Sequence, residues 1–250
     1  MSGFSALFYK EVLRFLKVGM QTLAAPVITG LLYLLIFSHT LSSAQVYPGV
    51  SYVAFLVPGL AMLSMLQNAA ANASSSLIQS KVTGNIVFLL LSPISTHEFF
   101  AAYVLASLVR ALLVGLGLLF ACLPFAPLPF PNLLWFTAFA FLGGLLMGSV
   151  GIIGGIWAEK FDQLAGFQNF IIVPATFLAG AFYSTHSLPP FWRAVSHLNP
   201  FFYIIDGFRY SFFGHSDFPV WGSLAIVATG AFAVSLLAIR LIRSGYKLRH

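Results

Sequence analysis

The chain of 250 residues is 59% hydrophobic and 7% charged, with a mean hydropathy of +0.93. Soluble globular domains carry about 25% charged residues, so the composition excludes that class and points to a helical membrane protein. The formal charge of +6 is spread along the chain, which argues against a nucleic-acid groove binder, and a lone cysteine, Cys122, excludes an intrachain disulfide.

At 100° per residue, segment 1–17 reads as a short amphipathic helix, with Lys10, Arg14 and Lys17 on one stripe opposite Phe4, Phe8, Val12 and Phe15. Such a helix lies in the membrane interface with its cations at the headgroups, either as a topological anchor or as a lever on the first span. Six apolar stretches follow: Val18–Phe37, Tyr52–Asn72, Phe99–Leu123, Leu133–Trp157, Leu164–Phe182 and Trp221–Arg243. Each holds about 19 to 25 residues, enough at 1.5 Å per residue to cross a hydrocarbon core of about 30 Å. The expectation is an all-α polytopic membrane protein with six transmembrane helices. It forms a single domain over 1–250, with an interfacial helix at 1–17, spans within 18–243 and a basic tail at 244–250. Ser42-Ser43-Ala44 faintly resembles a signal-cleavage site. The apolar run before it exceeds a signal peptide's 7–15-residue core, and five more spans follow, so the stretch reads as a span.

The charges sort by topology. Lys10, Arg14, Lys17, Lys81, Lys160, Arg240, Arg243, Lys247 and Arg249 share one side, and Arg193 and Arg209 fall on the other. The positive-inside rule then makes both termini and the loops 73–98 and 158–163 cytoplasmic. Arg110 sits inside the third span, where an arginine costs about 2.5–3.5 kcal/mol and needs a partner; Asp162, Glu159 and helix C-terminal carbonyls are candidates. Asn68, Asn72 and Ser75 recur at i, i+4 and i+7 beside Gln67, and Gln168 and Asn169 stand in the fifth span. Amides here serve equally as interhelical hydrogen bonds or as the lining of a translocation route. Gly144, Gly148, Gly151 and Gly155 share a face of the fourth span, a close-packing signal that fits contact within the bundle or between protomers.

Two connecting segments are not ordinary loops. Ser76–Glu98 is rich in Leu, Ile and Val, broken by Gly84 and closed by Ser92-Pro93. It suits a short surface helix that docks into another protein, or one that packs back on its own bundle. Tyr183–Val220 contains Leu188-Pro189-Pro190-Phe191-Trp192 and Asn199-Pro200-Phe201-Phe202-Tyr203. Asn199 followed by Pro200 predicts a capped helix start, Asp206 and Arg209 are spaced to pair, and two short helices dipping into the outer leaflet fit the pattern.

Gly180-Ala181-Phe182-Tyr183-Ser184, Leu188-Pro189, Asn199-Pro200, Tyr203, Asp206-Gly207 and Arg209, with Pro58-Gly59 and Ser92-Pro93-Ile94-Ser95, resemble the signature of ABC transporter permeases of the ABC-2 exporter class. The resemblance covers essentially the whole chain, which is particularly similar to the short bacterial drug, nodulation-factor and polysaccharide export permeases. It implies that Lys81, Val82, Thr83, Gly84, Asn85, Ile86 and Val87 belong to a coupling helix, Lys81–Leu91, seated in an ATP-binding subunit. It further implies an outer re-entrant gate with Phe182, Tyr183, Leu188, Pro189, Asn199, Pro200, Tyr203 and Arg209. The second and fifth spans, with Asn68, Asn72, Gln168 and Asn169, would line a route between two copies of the chain. The partners implied are a separate ABC ATP-binding subunit, a second copy and the lipid bilayer, in a bacterial inner membrane.

The 250 residues contain no G-x-x-x-x-G-K-[ST] loop, so ATP and Mg are expected on the partner subunit and no cofactor or metal on this chain. A membrane enzyme is the main rival. His186, His197 and His215 lie near Asp206 and Asp217 in sequence, but no H-x-x-x-H or H-E-x-x-H spacing occurs. A passive channel is the third reading, and the apolar docking segment speaks against it.

Overall fold

Hydrocarbon cannot hydrogen-bond a peptide group, so long apolar runs fold as helices that satisfy their own backbone. The structure is a computed structural model that describes residues 3–40, 45–126 and 128–248; Ser42-Ser43-Ala44 and Arg249 lie outside them. In chain order the elements are α1 (Gly3–Leu16), α2 (Gly19–Thr40), a hairpin of β1 (Gln45–Tyr47) and β2 (Val50–Ser51), α3 (Tyr52–Val82) and α4 (Ile86–Leu91). Then come α5 (Thr96–Cys122), α6 (Leu133–Trp157), α7 (Phe161–Phe167), a π-helical turn (Gln168–Ile172) and α8 (Val173–Phe177). A 3₁₀ turn (Thr185–Ser187), α9 (Pro190–Leu198), α10 (Pro200–Phe213) and α11 (Val220–Ser244) complete the described chain.

Five of these, Gly19–Phe37 of α2 and the whole of α3, α5, α6 and α11, are long and apolar enough to cross a membrane. The stretch expected as a fifth span, Leu164–Phe182, is helical only to Phe177. Just before Pro174, which has no N–H to give, the ladder slips by a residue: the Val173 N–H reaches the Gln168 carbonyl, five residues back. Beyond Phe177 the chain turns through Gly180, whose φ of +74° suits glycine.

α3 is the axis of the bundle. It is mostly buried, whereas α2 leaves most of its apolar surface uncovered. At 31 residues it is about 46 Å long, and it runs on past Asn72 to Val82. The first part of the segment read as a cytoplasmic loop is therefore helix, with Leu77 and Ile78 fully buried. The glycine row of α6 packs within the bundle: a side chain at Gly151 would strike the Ala70 carbonyl, one at Gly155 would press on Leu77 and Ser74, and one at Gly144 would meet Leu108 of α5.

α1 departs from its expected pose. Leu7 and Phe15 are buried, Phe4 and Phe8 pack against a cluster containing Phe99 and Tyr103, and Arg14 turns inward rather than toward headgroups. Glu11 explains the turn. Fully buried, it accepts from Lys10 Nζ at 2.9 Å, Arg14 Nε at 3.2 Å and Ser76 Oγ at 2.8 Å.

Replacing Gly151 by Leu should lower the thermal stability of the detergent-solubilised protein by about 1–3 kcal/mol, the usual cost of overpacking. Gly166→Ala, where nothing lies within 4 Å, is the control. Equal melting of the two variants would contradict the α3–α6 contact.

Candidate functional site

Three groups of residues stand out: two at opposite ends of α3 and one along its length. At its C-terminal end, Thr83 closes the helix by bonding the Gln79 carbonyl through its hydroxyl at 2.8 Å. Gly84 then reverses the chain at φ +75° and α4 begins. Ile86 is buried and fixes α4 to the bundle, while Val82, Val87, Phe88 and Leu91 are exposed, Phe88 at 74% and Leu91 at 79%. Behind α4, Ser95 and Glu98 form a reciprocal capping box that starts α5. Thr83, Gly84 and Asn85 are exposed beside α4. Lys81 points the other way: its ammonium bonds the carbonyls of Gly155 at 3.4 Å, Ile156 at 2.8 Å and Ala158, the negative end of the α6 dipole. Next to it Lys247 pairs with Glu159 at 2.7 Å, which holds the ammonium above its ordinary pKa.

Midway along α3 lies a polar network. Arg110 donates to Asn68 Oδ1 from Nε at 3.2 Å and from Nη2 at 3.0 Å, and to Asn72 Oδ1 at 3.5 Å. Its partners are therefore amides of α3 rather than Asp162 or Glu159. Both acids lie in the α6–α7 connection or the first turn of α7, whereas Arg110 projects from the middle of α5 toward α3. Arg14 reaches the same site, donating to Asn72 Oδ1 and to the Asn72 carbonyl, each at 2.8 Å. Asn72 is fully buried and donates to Ser107 at 3.2 Å. The structure thus brings Asn68 and Asn72 together. Gln168 bonds instead to Ser74 at 3.0 Å, Gln67 joins Thr176 at 2.9 Å, and Asn169 is exposed. A cleft of about 830 Å³ opens beside this network, between α2, α3, α5 and α8.

The residues read as a gate lie in the turn after α8 and in the segment that carries α9 and α10. Asn199 caps α10, its Oδ1 accepting from the Phe201 N–H at 3.0 Å while its Nδ2 donates to the Ala175 carbonyl of α8 at 2.5 Å. Pro200 takes the first helical position. Phe182 stacks on Phe177 with centroids 5.3 Å apart and meets Tyr33 edge-on. The Tyr183 hydroxyl donates to the Leu178 carbonyl at 2.9 Å and that of Tyr203 to the His197 carbonyl at 2.8 Å. Leu188 closes the 3₁₀ turn, and Pro189 stands immediately before α9.

Asp206 and Arg209 do not pair with each other. Arg209 is buried over the ring of Phe55, its guanidinium carbon 3.6 Å from the centroid, and donates to the carbonyls of Phe55, Gly180 and Ala181. Asp206 accepts the N–H groups of Asp217 at 2.9 Å and Phe218 at 3.1 Å; burial nevertheless pushes its carboxyl up to about 7. Asp217 is the hub of this end. It accepts from both Ser184 and Tyr47 hydroxyls at 2.8 Å and from the Thr185 N–H at 2.6 Å. Burial drives the Tyr47 hydroxyl well above its ordinary pKa, so it stays a donor.

Sequence reasoning missed Glu11, and it placed Asp217 only beside His186, His197 and His215 rather than as a partner of the hairpin. Glu11 was detectable, being the sole acid of the first forty residues and three positions before Arg14. Asp217 lies in a short connection with no motif around it, and the partner hairpin is too brief to show a pattern.

These features define a class. The chain belongs to the ABC-2 type transporter family, whose pattern matches residues 2–213. It is 38% identical over 245 residues to the inner membrane transport permease YadH of Escherichia coli strain K12, an alignment covering 98% of this chain and 96% of that one. It is 29% identical over 206 residues to nodulation protein J of Rhizobium leguminosarum bv. trifolii, covering 78% and 77% of the two chains.

Asn199→Ala removes both bonds and should destabilise the start of α10 by about 0.5–2 kcal/mol. Hydrogen exchange should quicken at the amides of Phe201 and Phe202, and Asn199→Ser, which keeps only the cap, should restore part of the protection. Unchanged exchange in the alanine variant would contradict the cap's role.

Proposed function

We propose that this chain is the membrane-embedded permease half of an ATP-driven exporter, seated in a bacterial inner membrane with both termini cytoplasmic. The helical segment Phe161–Phe177 acts as a sixth crossing, shortened to about 26 Å, close to the thinner end of bilayer cores. α9 and α10 form the outward re-entrant gate. Two copies associate, the cleft beside α2 and α8 contributing to the route, and a separate ATP-binding subunit carries nucleotide and Mg.

One observation carries this reading. α4 is a single helical turn and a half on which Val87, Phe88 and Leu91 are uncovered while Ile86, Leu89 and Leu90 face the bundle, and both its flanks are anchored, by the α3 terminus on one side and the Ser95 capping box on the other. A short apolar helix on a rigid mount is suited to receive force from a groove of a partner. Family membership agrees, as does the absence of a phosphate loop from these 250 residues. Lys81, read at first with the docking surface, acts instead as the brace between α3 and α6, transmitting displacement of α4 to the bundle.

Phe88→Asp and Leu91→Asp should leave membrane insertion unchanged and reduce co-purification with the ATP-binding subunit about tenfold or more, since a charge there must be desolvated on docking. The homogeneous chain alone should hydrolyse no ATP. Undiminished association of both variants, or robust hydrolysis by the chain alone, would contradict the proposal.

A further inference from the structure

Two buried acids and one buried base meet where α10 passes the hairpin. Asp206 and Arg209 are each 1% exposed, and so is the side chain of Asp217. Arg209 gives its donors to the carbonyls of Phe55, Gly180 and Ala181 rather than to either acid. Asp206 accepts the N–H of Asp217 itself, which places the two acids side by side. With both ionised, the group holds two negative charges against one positive, and a surplus charge out of reach of water is costly. One proton makes it neutral.

The hydrogen bonds say which acid takes it. Asp217 accepts from the hydroxyls of Tyr47, Ser184 and Thr185 and from the Thr185 N–H, and donors in that number favour the ionised form. Asp206 has the N–H groups of Asp217 and Phe218 alone, one on each oxygen. Burial and the neighbouring Asp217 raise its carboxyl to about 7 against the pull of those two bonds and of Arg209. The surrounding elements add Tyr47 of the hairpin, Tyr52 of α3, Tyr183 and His186 of the turn, Arg193 and His197 of α9, Tyr203 and Tyr210 of α10 and His215 of the connection into α11. α6 and α8 add no titratable group, and Lys81 of α3 and Arg240 and Arg243 of α11 lie at the far ends of those helices. Arg193 is held by the carbonyls of Thr185, His186 and Leu188, and His186, mostly exposed, stands 3.9 Å from Asp217.

From this arrangement we propose that the cluster binds one proton, on the Asp206 carboxyl, and that this proton locks the hairpin, the turn after Phe182 and the connection into α11 to one another. Losing it leaves a second carboxylate buried beside Asp217, and the cluster relieves that charge by opening to water. The direction follows from linkage: the carboxyl lies above its ordinary value when locked, so the locked form holds the proton more tightly than an opened one. The lock is therefore complete well below pH 7 and weakens as pH rises through about 7, by up to about tenfold per pH unit. The inference goes beyond the exporter reading and rests on it only in placing the lock on the outer side, where external acidity would set its occupancy.

Amide hydrogen exchange of the full chain in neutral maltoside micelles tests this, with each rate corrected for the intrinsic pH dependence of exchange. Protection of segments 45–51, 184–187 and 215–219 should fall about tenfold or more from about pH 6 to about pH 8.5, while that of α6 stays level. Asp206→Asn, which carries no charge at any pH, should flatten the profile. His186→Gln, His197→Gln and His215→Gln, made singly, should each retain it, because the proton lost is that of Asp206. Protection that is independent of pH or rises with it, a profile unchanged by Asp206→Asn, or one abolished by a single histidine replacement would each overturn the proposal. Where Asp206→Asn fails to fold, the wild-type and histidine profiles decide. The micelle exposes both faces and contains no ATP-binding subunit, so failure here leaves the permease reading standing, and failed association with an ATPase leaves the proton lock standing.

Discussion

A carbonyl oxygen left over at a helix end has no water to bond inside a bilayer, and most of this architecture follows from meeting that demand with the few polar side chains available. Lys81 closes the C-terminal carbonyls of α6, Asn199 that of Ala175 in α8, and Arg209 those of Gly180 and Ala181 at the turn that follows. Arg193 does the same for Thr185, His186 and Leu188. In each case a side-chain donor holds a helix end or the turn beside one. Bonds that satisfy an orphan group also fix relative positions, so chemistry forced by the solvent becomes the frame of the molecule.

That frame has a mechanical consequence. The end of the bundle at the N-terminus of α3 is tied by Asp217, which joins the hairpin to the turn after Phe182, and by Asp206, which holds the connection into α11. At the other end, α4 is attached through Ile86, and Lys81 couples its mount to α6. Between them, the glycine row lets α6 lie directly on α3, leaving no soft layer of side chains to absorb displacement. On the proposed reading, a push on α4 would be delivered along α3 and α6 together, toward the Asp217 cluster.

Much of this was legible in the sequence, and the rest failed for identifiable reasons. Apolar run length located α6 to the residue and placed α3, α5 and α11, because a helix in hydrocarbon must span a fixed thickness. Asn199 with Pro200 gave the start of α10, since capping is local chemistry. The apolar run ends at Asn72, but α3 continues to Val82, because Ser74 bonds back to the Ala70 carbonyl and Ser76 binds Glu11 from α1, contacts that hydropathy does not register. The stripe of α1 was read from its cations and the apolar residues opposite them; Glu11 three positions before Arg14 was a local signal, but its burial against Ser76 of α3 is a contact between helices that periodicity does not show. Asp206 and Arg209 have pairing spacing, yet each found stronger tertiary partners. The amides of α3 stand out in the sequence, but their meeting with Arg110 depends on how α5 is rotated, which periodicity does not fix.

The central claim is that α4 and the Asp217 cluster face opposite compartments. In a Cys122→Ser background, single replacements Val87→Cys in α4 and Ser187→Cys beside the outer cluster, both exposed positions, can be probed with a membrane-impermeant maleimide on intact cells and on inverted vesicles. The account predicts that Ser187→Cys reacts in intact cells and Val87→Cys only in inverted vesicles. Labelling of both positions from the same side, or of Val87→Cys in intact cells, would contradict it.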